Sequence, residues 1–398
     1  MSGSLNPLKA IKSLQDRTPL GLLQLKHDPL RLLTAIAGIL FADVLIFMQL
    51  GFQDALFSSN TQYPRAIDAD VVITSTEAVS FNQLRTFSRR RLYQAQDIEG
   101  VVSADPLYVG SKEWTNPQTR EKKSLQVLGQ NLDRPAFDLP EVNQQLEAVR
   151  LPDHVLLDQA GRGAYDEVIE TVQQGGTVST EMGQRTVTVA GLFSVGASFA
   201  ADGALITSDE NFLRLFPRTD AGSVSLGLIQ IEEGADPARV KRDLEFHLPN
   251  DVQVLTFDEY IEFELYEIQT NSSIGFVFGL GTAMGFIVGV VIVYQVLSTD
   301  VNSHLAEYAT FKAMGYRNSY LLFVVVEEAL ILSVLGFIPS LFLSMGAYQL
   351  TAAATALPLM MPVSRAAYVF VLTLAMCIFS GAIATRRLQA ADPADIFS

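Results

Sequence analysis

Few residues of this chain stand where their chemistry would be unusual. Asp43, Glu327 and Glu328 are carboxylates within otherwise apolar runs, where an unpaired charge costs about 2.5–3.5 kcal/mol on insertion scales. Asp43, at the centre of its run, must therefore face protein and not lipid, while one of the two glutamates is expected near the inner interface. Asp43 reads either as a polar contact that changes during a working cycle or as a static hydrogen bond between helices. Neighbouring helical residues point about 100° apart, so Glu327 and Glu328 cannot share one partner. A third group, Glu307, Tyr308 and Lys312, lies in a short polar stretch between two apolar runs. There Leu305, Ala309, Lys312 and Ala313 recur at helical spacing, which predicts either a small amphipathic helix on a membrane surface, offering a grip to another protein, or a solvated turn.

Other chemistries lack their residues. The sequence has no Gly-Lys pair and hence no G-x-x-x-x-G-K-[ST] phosphate loop, so no ATP hydrolysis is expected of this chain. His27, His154, His247 and His304 are scattered, none with a second His or Cys at ligand spacing, and no metal site is expected. No G-x-S-x-G elbow marks a nucleophile. The expectation is a non-catalytic chain that binds no cofactor of its own. The one cysteine, Cys377, lies in an apolar run and can form no internal disulfide.

The elements that must position these residues are read from hydropathy. With 49% hydrophobic residues in 398 and a positive mean hydropathy, the apolar residues concentrate in four runs, Leu32–Leu50, Ile274–Leu297, Leu321–Tyr348 and Ala366–Ala384. Each is long enough to cross a membrane, and buried core helices are the weaker alternative. In the second run Gly275, Gly279, Gly281, Gly285 and Gly289 form ladders with four-residue steps. These fit small-xxx-small packing, within the chain or in a homodimer, far better than a dinucleotide fingerprint.

Charge orients the runs. Lys9, Lys12, Arg17, Lys26 and Arg31 precede the first and Arg386–Arg387 follow the fourth, which predicts both termini inside, with residues 1–31 as a cytoplasmic amphipathic segment, 298–320 as a cytoplasmic loop, 349–365 as an outer loop and 385–398 as a cytoplasmic tail. No cleaved signal peptide is expected. Residues 51–273 then form an outer domain carrying 34 acidic and 18 basic residues, a balance that argues against a nucleic-acid partner.

Within that domain, Asp70–Ser75, Leu107–Gly110, Ser124–Gly129, Thr186–Val189, Ala204–Thr207, Leu228–Ile231 and Val252–Leu255 read as strands. The Arg89–Arg91 run on a helix at Ser88–Gln96 reads as a solvated face. Asp236-Pro237 opens a helix to about His247. Residues 153–225 suggest a separate β-rich lobe inserted into a lobe made from both flanks. Thr256 and Glu259 form a capping box opening a stalk, 257–273, which continues without a breaker into the second run as one helix about 60 Å long. The fold class expected is an α-helical membrane protein with four transmembrane helices and a large α+β extracytoplasmic domain inserted between the first and second.

Glu307 followed by Lys312-Ala313-Met314-Gly315-Tyr316 resembles the E-x-x-x-x-K/R-A-x-G coupling loop of MacB/FtsX-family ABC-transporter permeases. Leu30–Phe57, Gly191–Phe216 and Arg386–Phe397 extend the resemblance over nearly the whole chain, most of all to the cyanobacterial DevC-type permeases of glycolipid export. Glu328 resembles the glutamate that opens the third helix in that family. The resemblance implies that Glu307, Tyr308, Lys312, Met314 and Gly315 contact a separate ABC ATPase, which uses ATP and Mg. It further implies a porter-like outer lobe, an inner (plasma) membrane location, and export of a lipid or glycolipid with a membrane-fusion (periplasmic adaptor) protein and, indirectly, an outer-membrane channel. Alternatives are a lipoprotein-release or cell-division branch of the family, a membrane sensor with an outer ligand-binding domain, or a membrane-anchored hydrolase.

Overall fold

The computed structural model describes residues 29–266, 273–303, 310, 314 and 318–390. Glu307, Tyr308, Lys312, Gly315, most of the N-terminal segment, the end of the tail and the junction 267–272 within the expected stalk lie outside these residues. The chain divides into two units: a helical one from residues up to Phe52, Val277–Gln349 and Met360 onward, and a sheet unit from Gln53–Phe276 and Leu350–Leu359.

Among the described residues four helices are long and apolar enough to cross a membrane. They run Pro29–Ala66, Ser273–Ser303, Asn318–Thr355 and Val363–Ala390. The first outlasts its apolar run because no breaker occurs before Pro64, and Asn60 and Thr61 return side-chain hydrogen bonds to the carbonyls of Leu56 and Phe57. In the helical unit, Ala35, Ile39 and Ala42 of the first helix pack with Val293 and Leu297 of the second, Ala329 and Leu332 of the third, and Met376, Cys377 and Ala384 of the fourth. The alanines at these contacts let the backbones approach closely. Along the second helix Val277, Leu280, Met284, Ile287 and Val291 stay exposed, as suits a face turned to lipid or to another apolar helix.

The sheet unit carries β1 (Val71–Ser75), β2 (Phe87–Ser88), β3 (Val101–Thr115), β4 (Lys122–Gln130), β5 (His154–Asp158), β6 (Val178–Met182), β7 (Arg185–Phe193), β8 (Ala204–Ser208), β9 (Ser223–Val224), β10 (Leu226–Ile231) and β11 (Val252–Thr256). Nine of these form one sheet in the order β11-β1-β10-β3-β4-β8-β5-β7-β6, and β2 pairs with β9 apart from it. Most neighbours are antiparallel, but β4–β8 and β5–β7 are parallel. Each face has its own core. Leu92, Ala104, Tyr108, Val168, Phe212 and Leu244 pack on one side, and Tyr63, Leu107, Phe137, Val149 and Tyr260 on the other. Ala104, Tyr108 and Trp114 fall on alternate residues of β3 while Leu107 falls on the opposite phase, as the two-residue period of a strand requires. Strand β1 is buried throughout because both faces are covered, hence its apolar Val71–Ile73 run and the absence of charge in VVITS.

The segment expected to close a separate β lobe instead shares this sheet. Strand β8 pairs along Gln126–Gln130 of β4, so 153–225 extends the sheet of its flanks, and its edge groups are satisfied by that ladder.

Candidate functional site

The buried carboxylates of the helical unit are the side chains whose setting is costly enough to demand partners. Asp43 is fully buried. Ser340 of the third helix donates to its Oδ2 at 3.1 Å, and Thr373 of the fourth donates to its Oδ1 at 2.8 Å. One carboxylate thus ties three helices. Both hydroxyls also lie near a carbonyl of their own helix, Phe337 at 2.7 Å and Val369 at 2.8 Å, the usual return bond of Ser and Thr in membrane helices.

A second cluster stands at the other end of the first helix. Arg31 Nη1 meets Asp300 Oδ1 at 3.0 Å and Arg31 Nη2 donates to Ser303 at 3.2 Å. Glu328 is buried, and the charged groups acting on it are Asp300 and Arg31. This cluster joins the start of the first helix, the end of the second and the start of the third, immediately before the stretch that carries Glu307. Glu327 next to it is only half-buried, so the two carboxylates do part company as their 100° separation requires. Met314, one of the residues expected to contact a partner, is exposed.

The glycine ladder divides by what each member faces. A Cβ on Gly281 would meet Gln49 at 2.5 Å, one on Gly285 would meet Ile46 at 3.0 Å, and one on Gly289 would meet Ala42 at 2.9 Å as well as Met376. These three admit the first helix. Gly279 faces open space, and Gly275 sits half-buried at the start of the helix. At the opposite end of the helical unit, Tyr348 donates to the Phe47 carbonyl, and Arg365 donates to Met360 O at 2.7 Å and to the Tyr348 hydroxyl at 3.3 Å.

In the sheet unit the buried Asp158 accepts four hydrogen bonds, from the Tyr63 hydroxyl at 2.6 Å and from the N–H groups of Ala160, Val195 and Gly196 at 3.0, 3.1 and 2.8 Å. Gly196 takes φ +116°, open to glycine, which turns its N–H onto the carboxylate. The capping box forms as its spacing predicts: Glu259 N–H donates to Thr256 Oγ1 at 3.3 Å and Thr256 N–H to Glu259 at 2.9 Å. Lys241 adds two contacts to Glu259 at 2.8 and 2.7 Å. Hydrogen bonding to Lys241 is the main cause that holds the Glu259 carboxyl below its usual range. Asp236 caps the helix Pro237–His247 through Ala238 N–H at 3.0 Å. Arg91, expected on a solvated face, grips Asp251 at 2.9–3.2 Å.

Asp300, Ser340, Thr373 and Asp158 carry no signal in the sequence, and Arg31 stands out there only as one of the charges before the first apolar run. Polar residues at helix ends and single hydroxyls within spans carry no local pattern, and their partners lie far along the chain. Among the described residues no three His, Cys, Asp or Glu side chains converge to hold a metal ion.

Residues 277–393 match the family model described as FtsX-like permease C-terminal, a stretch that takes in the last three apolar helices. Solved structures similar to the chain include the periplasmic region of MacB from Actinobacillus actinomycetemcomitans, 12% identical over 49% of this chain and 92% of that one, TM-score 0.34. The extracellular domain of the noncanonic ABC-type transporter YknZ from Gram-positive bacteria is 11% identical over 48% and 100%, TM-score 0.33. A domain of a putative permease protein from Porphyromonas gingivalis is 15% identical over 48% and 89%, TM-score 0.28. No curated protein matches by sequence.

Proposed function

We propose that the chain is the permease subunit of an ATP-driven exporter of the MacB/FtsX kind, working as a homodimer with a separate ABC ATPase. The observation that carries this reading is the FtsX-like match over 277–393, laid on three apolar helices that follow a large sheet unit in the chain. The ATPase binds ATP and Mg and docks on the loop around Glu307, Tyr308, Lys312, Met314 and Gly315. Both termini and this loop lie on the cytoplasmic side of the inner membrane, and the sheet unit lies outside.

The helices transmit force and do not line a path for substrate. A hydrophilic pore needs polar lining along its length. Inside the apolar runs the Asp, Glu, Lys and Arg side chains are Asp43, Glu327 and Glu328, of which Asp43 and Glu328 are buried among helices. A displacement of the coupling loop reaches the first and third helices through Arg31, Asp300 and Glu328. The cargo is a lipid or glycolipid, passed to a membrane-fusion protein and from there to an outer-membrane channel; this follows the DevC-type resemblance.

The test is cross-linked purification of the tagged full chain from its native membrane, followed by assay of ATP hydrolysis. The expected result is co-purification of a phosphate-loop ATPase whose retention or coupling is lost in Glu307→Lys while the variant stays inserted. Purification without any ATP-hydrolysing partner, or wild-type export by Glu307→Lys, overturns the assignment.

A further inference from the structure

One cleft of the sheet unit is built unlike its acidic surroundings. It has a volume of about 720 Å³ and is lined by Lys112, Arg185 and Arg218 together with Leu215, Phe216 and Pro217, with no carboxylate among its lining residues. The domain around it, 51–273, holds 34 acidic residues against 18 basic, so three cations with no carboxylate in the lining set this cleft apart from its surroundings.

The floor of the cleft is prepared by glycine. Gly110 of β3 leaves room for the Phe216 ring, which a Cβ there would meet at 3.0 Å, and Gly129 of β4 does the same for Phe212. The two rings stack at 4.4 Å between centroids, and Phe212 stacks in turn on Tyr108 at 5.3 Å. Lys112, two residues beyond Gly110 on the same face of β3, comes to rest 5.0 Å over Phe216 and donates to the Leu215 carbonyl. Gly183, at φ +59° in the β6–β7 turn, makes room for the lysine stem. The ammonium is thus held in place before any ligand arrives, and burial together with the nearby Arg185 pushes its pKa down.

The guanidiniums are only partly neutralised. Arg185 approaches Asp153 at 3.8 Å, beyond hydrogen-bond length, and Asp153 is shared with Arg214 at 3.4 Å. Among the described residues Arg218 has no ion pair. Gathering like charges is unfavourable in isolation, and a planar donor fork is suited to an oxyanion.

We propose that this cleft is a binding site for a ligand bearing a phosphate, sulfate or carboxylate group, held by Arg185, Arg218 and Lys112 with its adjoining apolar part against Phe216 and Pro217. The assignment stands independently of the transport reading, since it rests on the sheet unit alone.

Calorimetric titration of the full chain in a nonionic detergent tests it. The probes are inorganic phosphate, dihexanoyl phosphatidic acid and, as the uncharged control, dihexanoylglycerol. Saturable binding of phosphatidic acid is expected, at least tenfold weaker in Arg185→Glu/Arg218→Glu, with no binding of the control. Both arginines are surface residues, and an unchanged circular dichroism spectrum reports that the variant folds. Inorganic phosphate binding as tightly as phosphatidic acid assigns the site to free oxyanions, while binding of phosphatidic acid alone assigns it to anionic amphiphiles. Equal binding of the uncharged control, or an unchanged affinity in the charge-reversed variant, overturns the site.

Discussion

The Tyr63 hydroxyl lies 2.6 Å from the Asp158 carboxylate, 95 residues further along the chain and buried with it. Tyr63 belongs to the last turns of the first apolar helix, and Asp158 ends β5 while accepting the N–H groups of Val195 and Gly196. One carboxylate therefore fixes the helix end, a strand end and the loop after β7 to one another.

Tyr63→Phe should cost about 1.5–3 kcal/mol of stability, the value of a hydrogen bond to a charged acceptor. Asp158→Ala should cost more, because three N–H groups lose their acceptor together. Thermal unfolding of the full chain in detergent checks the order; equal losses would mean that the loop bonds contribute nothing.

Asp43→Asn should keep a contact to each hydroxyl, its amide oxygen accepting from one and its NH2 donating to the oxygen of the other, and should change stability by less than about 1 kcal/mol with export retained. Asp43→Leu should overpack the three-helix contact at a cost of about 1–3 kcal/mol. Loss of export in a stably folded Asp43→Asn would show instead that the carboxylate changes state during transport.

Much of this architecture is legible locally. The four spans, the N-cap at Asp236, the Thr256–Glu259 box and the strand segments each announce themselves within a few residues, because hydropathy period and capping chemistry are short-range. The partners of Asp43 lie 297 and 330 residues away, and no period in the sequence links a carboxylate to one serine among many. For the same reason β8 could not be assigned to the sheet of β4: alternation marks a strand but not its neighbour. The basic cleft escaped because its cations come from β3, the start of β7 and the segment after Leu215, none of which is basic by itself.

Glycines of the second helix should separate by substitution. Gly289→Ala drives a methyl against Ala42 at 2.9 Å and against Met376, and should destabilise by about 1–3 kcal/mol. Gly279→Ala meets nothing within 4 Å among the described residues and should be neutral or stabilising by up to about 1 kcal/mol. If Gly279→Ala instead abolished cross-linking between copies through a cysteine placed at Ile287, a partner helix would cover that face.

Glu259 contributes a pH dependence of definite sign. Its folded pKa is depressed, chiefly by Lys241, so the pair's contribution is fully present above the ordinary carboxylate value of about 4.3 and disappears as pH falls through the lower folded value. The contact is partly exposed, with 43% of the Glu259 side chain accessible, so about 0.2–1 kcal/mol is expected. Wild type should exceed Glu259→Gln in stability at pH 6 and lose that advantage near pH 3; an advantage constant over this range would exclude the ion pair.

Arg31→Met should remove the guanidinium that Asp300 meets at 3.0 Å and destabilise the helical unit by up to about 3–5 kcal/mol, the cost of removing one partner of a buried ion pair. Combining Arg31→Asp with Asp300→Arg should restore more stability than the sum of the single effects, as measured in a double-mutant cycle.

Strand β1 sits between β10 and β11 and pairs with nothing else. Both of its neighbours are made after it, the nearer beginning 151 residues beyond Ser75. At 5–20 residues per second, synthesis leaves two bare edges on VVITS for roughly 10–30 s, and such a short, apolar, uncharged strand is a template for wrong pairing in that interval. The sheet cannot zip from its N-terminal side as the chain appears. Its assembly waits for residue 256, so any stall in synthesis between β4 and β10 prolongs the exposure of both edges of VVITS while the first membrane helix is already made.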